Sequence, residues 1–82
     1  MDLYKRYIEV DVHIDKYGNL TPIAIYWDDG KKYEVEKIEG SPRQKASVVG
    51  GCGILYVCRI QGQVRNIYFE QGYRWFIESY HP

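Results

Sequence analysis

The stretch that decides the fold is residues 4–15, which read YKRYIEVDVHID. Its even-numbered positions are hydrophobic apart from Arg6, and its odd-numbered positions are polar or charged apart from Tyr7. This alternation has the period of a β-strand, in which successive side chains point to opposite faces. The stretch therefore predicts a strand with one buried face and one solvated face.

Further strand patterns follow along the chain, most of them separated by turns that contain glycine. The predicted strands lie at about residues 22–27, 32–36, 54–60, 64–70 and 73–80. The turn signals are Tyr17-Gly18-Asn19, Asp29-Gly30, Gln61-Gly62 and Gln71-Gly72. Residues 54–60 are largely apolar on both faces, which is typical of a central strand. Six such strands predict an all-β fold: an antiparallel meander that curls into a small, SH3-like barrel.

The glycine-rich segment at residues 39–53 interrupts this strand pattern. Ser41 and Gln44 have the spacing of a capping box, and Pro42 occupies the first helical position. These signals predict one short helical turn from Pro42 to about Val49, ended by Gly50. We expect its valines to plug one mouth of the barrel.

Length and composition predict a single small domain spanning residues 1–82. The chain has 11 basic and 11 acidic side chains, which excludes a wholly basic nucleic-acid-coating protein and an acidic disordered one. Its 9 Tyr, 2 Trp and 2 Phe residues can supply an efficient core, and we expect Trp27 and Trp75 to be largely buried. The charged N-terminal decapeptide predicts no signal peptide, and the uncharged stretch 46–58 is too short to span a bilayer. We therefore expect a cytoplasmic protein that does not associate with membranes.

No catalytic or metal-binding signature is apparent, so we expect no enzyme activity, cofactor or metal site. The cluster Gly50-Gly51-Cys52-Gly53 precedes a strand, whereas a phosphate-binding loop precedes a helix. The possible zinc ligands do not form two closely spaced pairs; they are His13, Cys52, Cys58 and His81. We expect two free thiols, with Cys58 protected inside the fold and Cys52 accessible.

The distribution of charge suggests a binding surface. Residues 40–69 contain no acidic side chain. They contain four basic ones, which are Arg43, Lys45, Arg59 and Arg65. If these lie on one face together with Tyr68, the face could contact single-stranded nucleic acid through phosphates and ring stacking. The alternative is that the tyrosines pack in the core and the basic side chains are solvated or paired with Glu70 and Glu78.

A second class of function is a protein adaptor or self-associating module that uses exposed aromatic side chains and an open edge strand. The first predicted strand either pairs with the last one or forms that edge. Its outward charges, at Lys5, Glu9 and Asp11, are of the kind that oppose edge-to-edge pairing. We therefore expect a monomer or a weak homodimer.

Four segments carry a resemblance to known proteins: residues 22–35, 53–60, 68–70 and 74–78. The chain resembles a group of small bacterial proteins of unassigned function. It is also distantly similar to short bacterial proteins found beside translesion DNA polymerases, which share a Trp-x-x-Gly-x-x-Tyr-x-Val hairpin and a closing Trp-Phe-x-Glu strand. In this chain the hairpin motif begins at Trp27 and the closing motif at Trp75. The resemblance implies a DNA-repair or nucleic-acid context and carries no catalytic residue.

Overall fold

The computed structural model describes residues 3–80, with Tyr80 described for its backbone alone. This part of the chain forms seven β-strands and no helix. The strands are β1 (Leu3–Ile14), β2 (Leu20–Tyr26), β3 (Lys32–Glu34), β4 (Lys37–Ala46), β5 (Cys52–Ile60), β6 (Gln63–Glu70) and β7 (Arg74–Tyr80). They make one antiparallel sheet in the order β3-β2-β1-β7-β6-β5-β4. The all-β prediction is confirmed, whereas the predicted number of six strands is wrong.

The additional strand is β4, which replaces the predicted helical turn at Pro42–Val49. β4 pairs along β5, and its register shifts between Glu39 and Arg43. Pro42 lies within that irregularity, where its missing N–H breaks no regular ladder bond. The helix prediction failed because β5 is apolar on both faces and needs a partner on its second edge, and this long-range pairing outweighs a local capping signal. Val48 is exposed in the turn after β4 and does not plug a barrel mouth.

The first strand is central, because β1 pairs with β2 on one side and with β7 on the other. Val10 lies opposite Ile25 of β2, and Ile8 lies opposite Trp75 of β7. Of the two possibilities for the first strand, pairing with the last strand is therefore the observed one. The edges of the sheet are β3 and β4.

A two-residue link joins these two edges and curls the sheet. β3 and β4 lie at opposite ends of the strand order, yet only Val35 and Glu36 separate them in sequence. The Val35 N–H donates to the Ile23 carbonyl oxygen at 2.9 Å, and the Glu36 N–H donates to the Arg59 carbonyl oxygen at 2.8 Å. Because so short a link spans only about 10 Å, the edges must meet at this corner. The sheet is thus a partial barrel.

The core divides between the two faces of the curled sheet. The larger, inner cluster consists of Ile25, Tyr56, Cys58, Ile60, Ile67 and Trp75. The outer cluster consists of Leu55, Tyr68 and Phe76, and Val49 of the β4–β5 turn packs against it. Trp75 is buried as expected, whereas Trp27 has intermediate burial. Trp27 follows the end of β2, where no further strand covers it.

The two tryptophans should therefore differ in their contribution to stability. Trp75→Ala removes a buried ring that packs against Tyr56 and Phe69, and should lower the free energy of unfolding by about 3 to 5 kcal/mol. Trp27→Ala leaves a smaller cavity and should cost clearly less. Urea titration followed by far-UV circular dichroism measures both. Equal losses in the two variants would contradict this assignment of the core.

Candidate functional site

The most distinctive feature of the sheet is a gap between β6 and β7. The two strands pair over three positions only: Tyr68 with Phe76, Phe69 with Trp75 and Glu70 with Arg74. Beyond this point β6 stays paired with β5, and β7 stays paired with β1. Residues 63–66 of β6 and the end of β7 therefore face each other without forming a ladder.

A cleft of about 810 Å³ occupies this gap and reaches the inner face of the barrel. Its apolar lining includes Ile25, Ile60, Ile67 and Ile77, and its aromatic lining consists of Trp27 and Tyr33. The other lining residues are Gln61, Gln63, Val64, Arg65, Asn66, Glu78 and Ser79. The volume of the cleft lies within the range of ligand-binding sites, although it is an open groove with a mixed polar and apolar lining.

The backbone of β6 presents free hydrogen-bonding groups to the cleft. Gln61 and Gly62 both have positive φ, 51° and 74°, which defines a two-residue type I′ turn between β5 and β6. Ile60 and Gln63 close this hairpin and exchange hydrogen bonds. Because strand residues alternate in the direction of their N–H and C=O groups, those of Val64 and Asn66 point away from β5. Within residues 3–80 they have no ladder partner, and they form a strand edge along the cleft.

The closed end of the gap is fixed by a charged network around Glu70. Its carboxylate accepts hydrogen bonds from the Tyr7 hydroxyl at 2.6 Å and from Lys5 Nζ at 3.0 Å, and it pairs with Arg74 at 3.1 Å. These donors, the Tyr7 hydroxyl first, lower the pKa of Glu70 below its usual value. The network ties β1 to the β6–β7 hairpin.

Glu78 ties the open end of β7 to the β4–β5 turn. Its carboxylate accepts hydrogen bonds from Ser47 Oγ at 2.9 Å, from the Val48 N–H at 3.0 Å and from the Tyr68 hydroxyl at 3.3 Å. The negative charge of Glu78, at this rim of the cleft, is therefore already stabilised by hydrogen bonds from the protein.

The aromatic wall of the cleft is also fixed in place. The guanidinium carbon of Arg6 lies 4.1 Å from the centroid of the Trp27 ring, and the same guanidinium pairs with Asp28. A cation held over a ring is attracted by its π-electrons. Arg6 therefore orients the Trp27 ring at the cleft.

The four basic residues predicted as one face lie on two different faces. Residues directly opposite one another in a sheet share a face. Arg43 lies opposite Leu55, and Lys45 opposite Gly53, which places both on the outer face of β4. Arg65 lies opposite Cys58 of the inner cluster and lines the cleft.

Arg59 and Tyr68 share the outer face with Arg43 and Lys45, but neither is a free contact group there. Arg59 is on the outer face of β5, where its Nε pairs with Glu39 at 3.1 Å. Tyr68 is 2% exposed, and its ring stacks on Phe76 with centroids 5.0 Å apart. Phe76 covers the Tyr68 ring, which is packed in the outer cluster as in the alternative of a core tyrosine.

Sequence analysis missed the cleft, although a signal for it exists. The first half of β6 reads QVRN, and all four residues are exposed, whereas its second half reads IYFE and is largely buried. A strand that is polar on both faces in one half lacks a neighbour that covers it there. This change within one strand marks the point where β6 and β7 separate.

The two cysteines are free, as expected: Cys52 is exposed and Cys58 is buried. Burial raises the pKa of the Cys58 thiol to about 11. Residues 3–80 contain no group of three or more side chains placed to hold a metal ion. His81, which was considered as a zinc ligand, lies outside the described residues.

No protein-family model, curated protein or solved structure matches the chain. Within residues 3–80 there is no helix long and apolar enough to cross a membrane.

Proline substitution tests the free edge of β6. Asn66→Pro removes an N–H that points into the cleft, so it should cost less than about 1 kcal/mol of stability. Arg65→Pro is the matched control, because it removes a ladder bond to β5 and should cost about 2 to 3 kcal/mol. Urea denaturation of both variants measures the difference. Equal destabilisation would show that the Asn66 N–H has a partner.

Proposed function

We propose that the protein is a non-enzymatic, SH3-like small-barrel binding module that takes an extended segment of a partner protein into the cleft by strand addition. The observation that carries this proposal is the unpaired edge of β6 at Val64–Asn66. In strand addition, backbone hydrogen bonds to such an edge supply affinity, and side chains that alternate between the two faces supply specificity. Inward-facing peptide side chains would meet the apolar and aromatic lining of the cleft.

The outer edges of the sheet are less suited to strand addition than β6. β3 has only three residues. β4 is longer, but it carries an irregularity at Gly40–Pro42 and the exposed cations Lys37, Arg43 and Lys45. Proline, irregular pairing and positive charge are the features that block edge-to-edge contact. We therefore infer that the chain is monomeric and that its partner binds at the cleft.

The chemistry of the cleft supports binding over catalysis. Glu78 is held by three donors, and the thiol of Cys58 beneath the inner face is protonated because its pKa is raised. No base is hydrogen-bonded to either group, and Arg65, which lies opposite Cys58, donates to Gln63 and not to the thiol. The exposed thiol of Cys52 suits a reducing compartment such as the cytoplasm.

Selection from a random peptide library tests the proposal. Peptides displayed on phage are selected on the wild-type protein after depletion on Asn66→Pro. Selected peptides, made synthetically, should bind the wild type with micromolar Kd and bind Asn66→Pro at least about tenfold more weakly. Trp27 fluorescence reports entry into the cleft. The control variant Lys45→Ala should bind normally.

Two outcomes of the selection would overturn the proposal. If no peptide is enriched, or if the enriched peptides bind Asn66→Pro as tightly as the wild type, the β6 edge is not the binding site.

A second candidate function is contact with single-stranded nucleic acid, in keeping with the resemblance to proteins beside translesion polymerases. The observation that favours it is that Arg43 and Lys45 are exposed on the same face of β4 and make no ion pair with any residue in 3–80. Two phosphate contacts would give weak binding with a shallow dependence on salt.

Fluorescence anisotropy of a labelled oligothymidine tests this candidate. Between about 50 and 200 mM salt, two phosphate contacts predict that the logarithm of the binding constant falls against the logarithm of the salt concentration with a slope near −1.4. The double variant Arg43→Ala/Lys45→Ala should abolish binding. Lys31→Ala/Lys32→Ala is the charge-matched control. Absence of binding at low salt would leave the outer face of β4 as a solvated surface.

A further inference from the structure

We infer that the peptide taken by the cleft carries an acidic side chain directly opposite Arg65, followed two residues later by an apolar one. This inference rests on the proposed function and specifies the chemistry of the partner.

Arg65 is the positive charge available to a ligand in the cleft. Its side chain is exposed on the inner side of β6, and one guanidinium N–H donates to Gln63 Oε1 at 2.6 Å. It makes no ion pair with a carboxylate of the described residues. A guanidinium has five N–H donors, so most remain free to bind a carboxylate in the bidentate geometry that Arg favours.

The carboxylates near the cleft are engaged elsewhere. Glu78 faces Ser47, Val48 and Tyr68 on the outer side, and Asp28 pairs with Arg6 beside Trp27. Glu36, at the β5–β6 turn, accepts a hydrogen bond from the Gly62 N–H at 3.0 Å. The cleft therefore presents an uncompensated positive charge at Arg65, and a peptide carboxylate complements it.

The register of an added strand places the acidic residue. In an antiparallel added strand, Val64 and Asn66 exchange hydrogen bonds with the peptide, so Arg65 lies in the non-hydrogen-bonded pair between them. Side chains in such a pair are closest, and both point to the inner face.

The same register places the apolar residue. The next inward-facing peptide side chain lies two positions further towards the C-terminus, opposite Gln63. There it faces the part of the cleft that Ile60, the partner of Gln63 in the closing pair of the β5–β6 hairpin, lines on the far side of β6. The peptide pattern, from N- to C-terminus, is thus acidic, any residue, apolar.

A charge-swap experiment tests this inference with defined probes. The probes are fluorescein-labelled peptides of sequence Thr-Glu-Thr-Ile-Thr and Thr-Lys-Thr-Ile-Thr, capped at the C-terminus, and their binding is measured by anisotropy. The wild type should bind the Glu probe about threefold to tenfold more tightly than the Lys probe. Arg65→Glu should reverse the preference, and Arg65→Gln, which keeps a neutral side chain of similar length, should abolish it.

The outcomes separate this inference from the proposed function. If the wild type binds both probes equally and Asn66→Pro binds neither, strand addition stands and the acidic preference is overturned. A preference that persists in Arg65→Gln would also overturn it, because the selectivity would then come from another group. If the wild type binds neither probe up to about 1 mM, the proposed function and this inference both fail.

Discussion

The architecture depends on one constraint, which is that the chain crosses from one edge of the sheet to the other in two residues. Val35 and Glu36 each hydrogen-bond to a different strand, the first to β2 and the second to β5. This fixes the corner at which the sheet closes and gives the sheet an inner face. The remaining strands must accommodate that closure. They do so unevenly, because β6 and β7 separate after three pairs while their outer ladders continue.

The gap is a preformed feature, since both of its ends are held by hydrogen-bonded carboxylates. Glu70 ties the β6–β7 hairpin to β1, and Glu78 ties β7 to the β4–β5 turn. A rigid binding edge loses little conformational entropy when it is filled, so more of the contact energy contributes to affinity. The same rigidity favours a partner segment that is already extended over one that must unfold.

Local sequence patterns predict the strands and turns of this protein well, but they do not predict which face each side chain occupies. The alternation at residues 4–15 and the Gln61-Gly62 sequence are local signals. The strand that the first predicts and the turn that the second predicts are both present. At Pro42 a local sequence signal predicts a helix, but the segment forms a strand because it pairs with β5. A short window of sequence around Pro42 does not include β5, so it does not predict this pairing. The basic residues close in sequence were divided between two faces because Arg43 lies opposite Leu55 and Arg65 opposite Cys58. That division depends on register, and register depends on long-range pairing.

The ladder between β1 and β7 has a consequence for how the chain folds. It places Leu3 opposite Tyr80, so it joins the most distant parts of the described chain, whereas the β5–β6 and β6–β7 hairpins need only local contacts. Closing such a long loop costs more chain entropy than forming a local hairpin, and non-local pairing of this kind is associated with slow folding. One wall of the cleft is β7, and β7 is held in place by this ladder. A partner that recognises the cleft therefore discriminates between fully folded chains and those still in the process of folding.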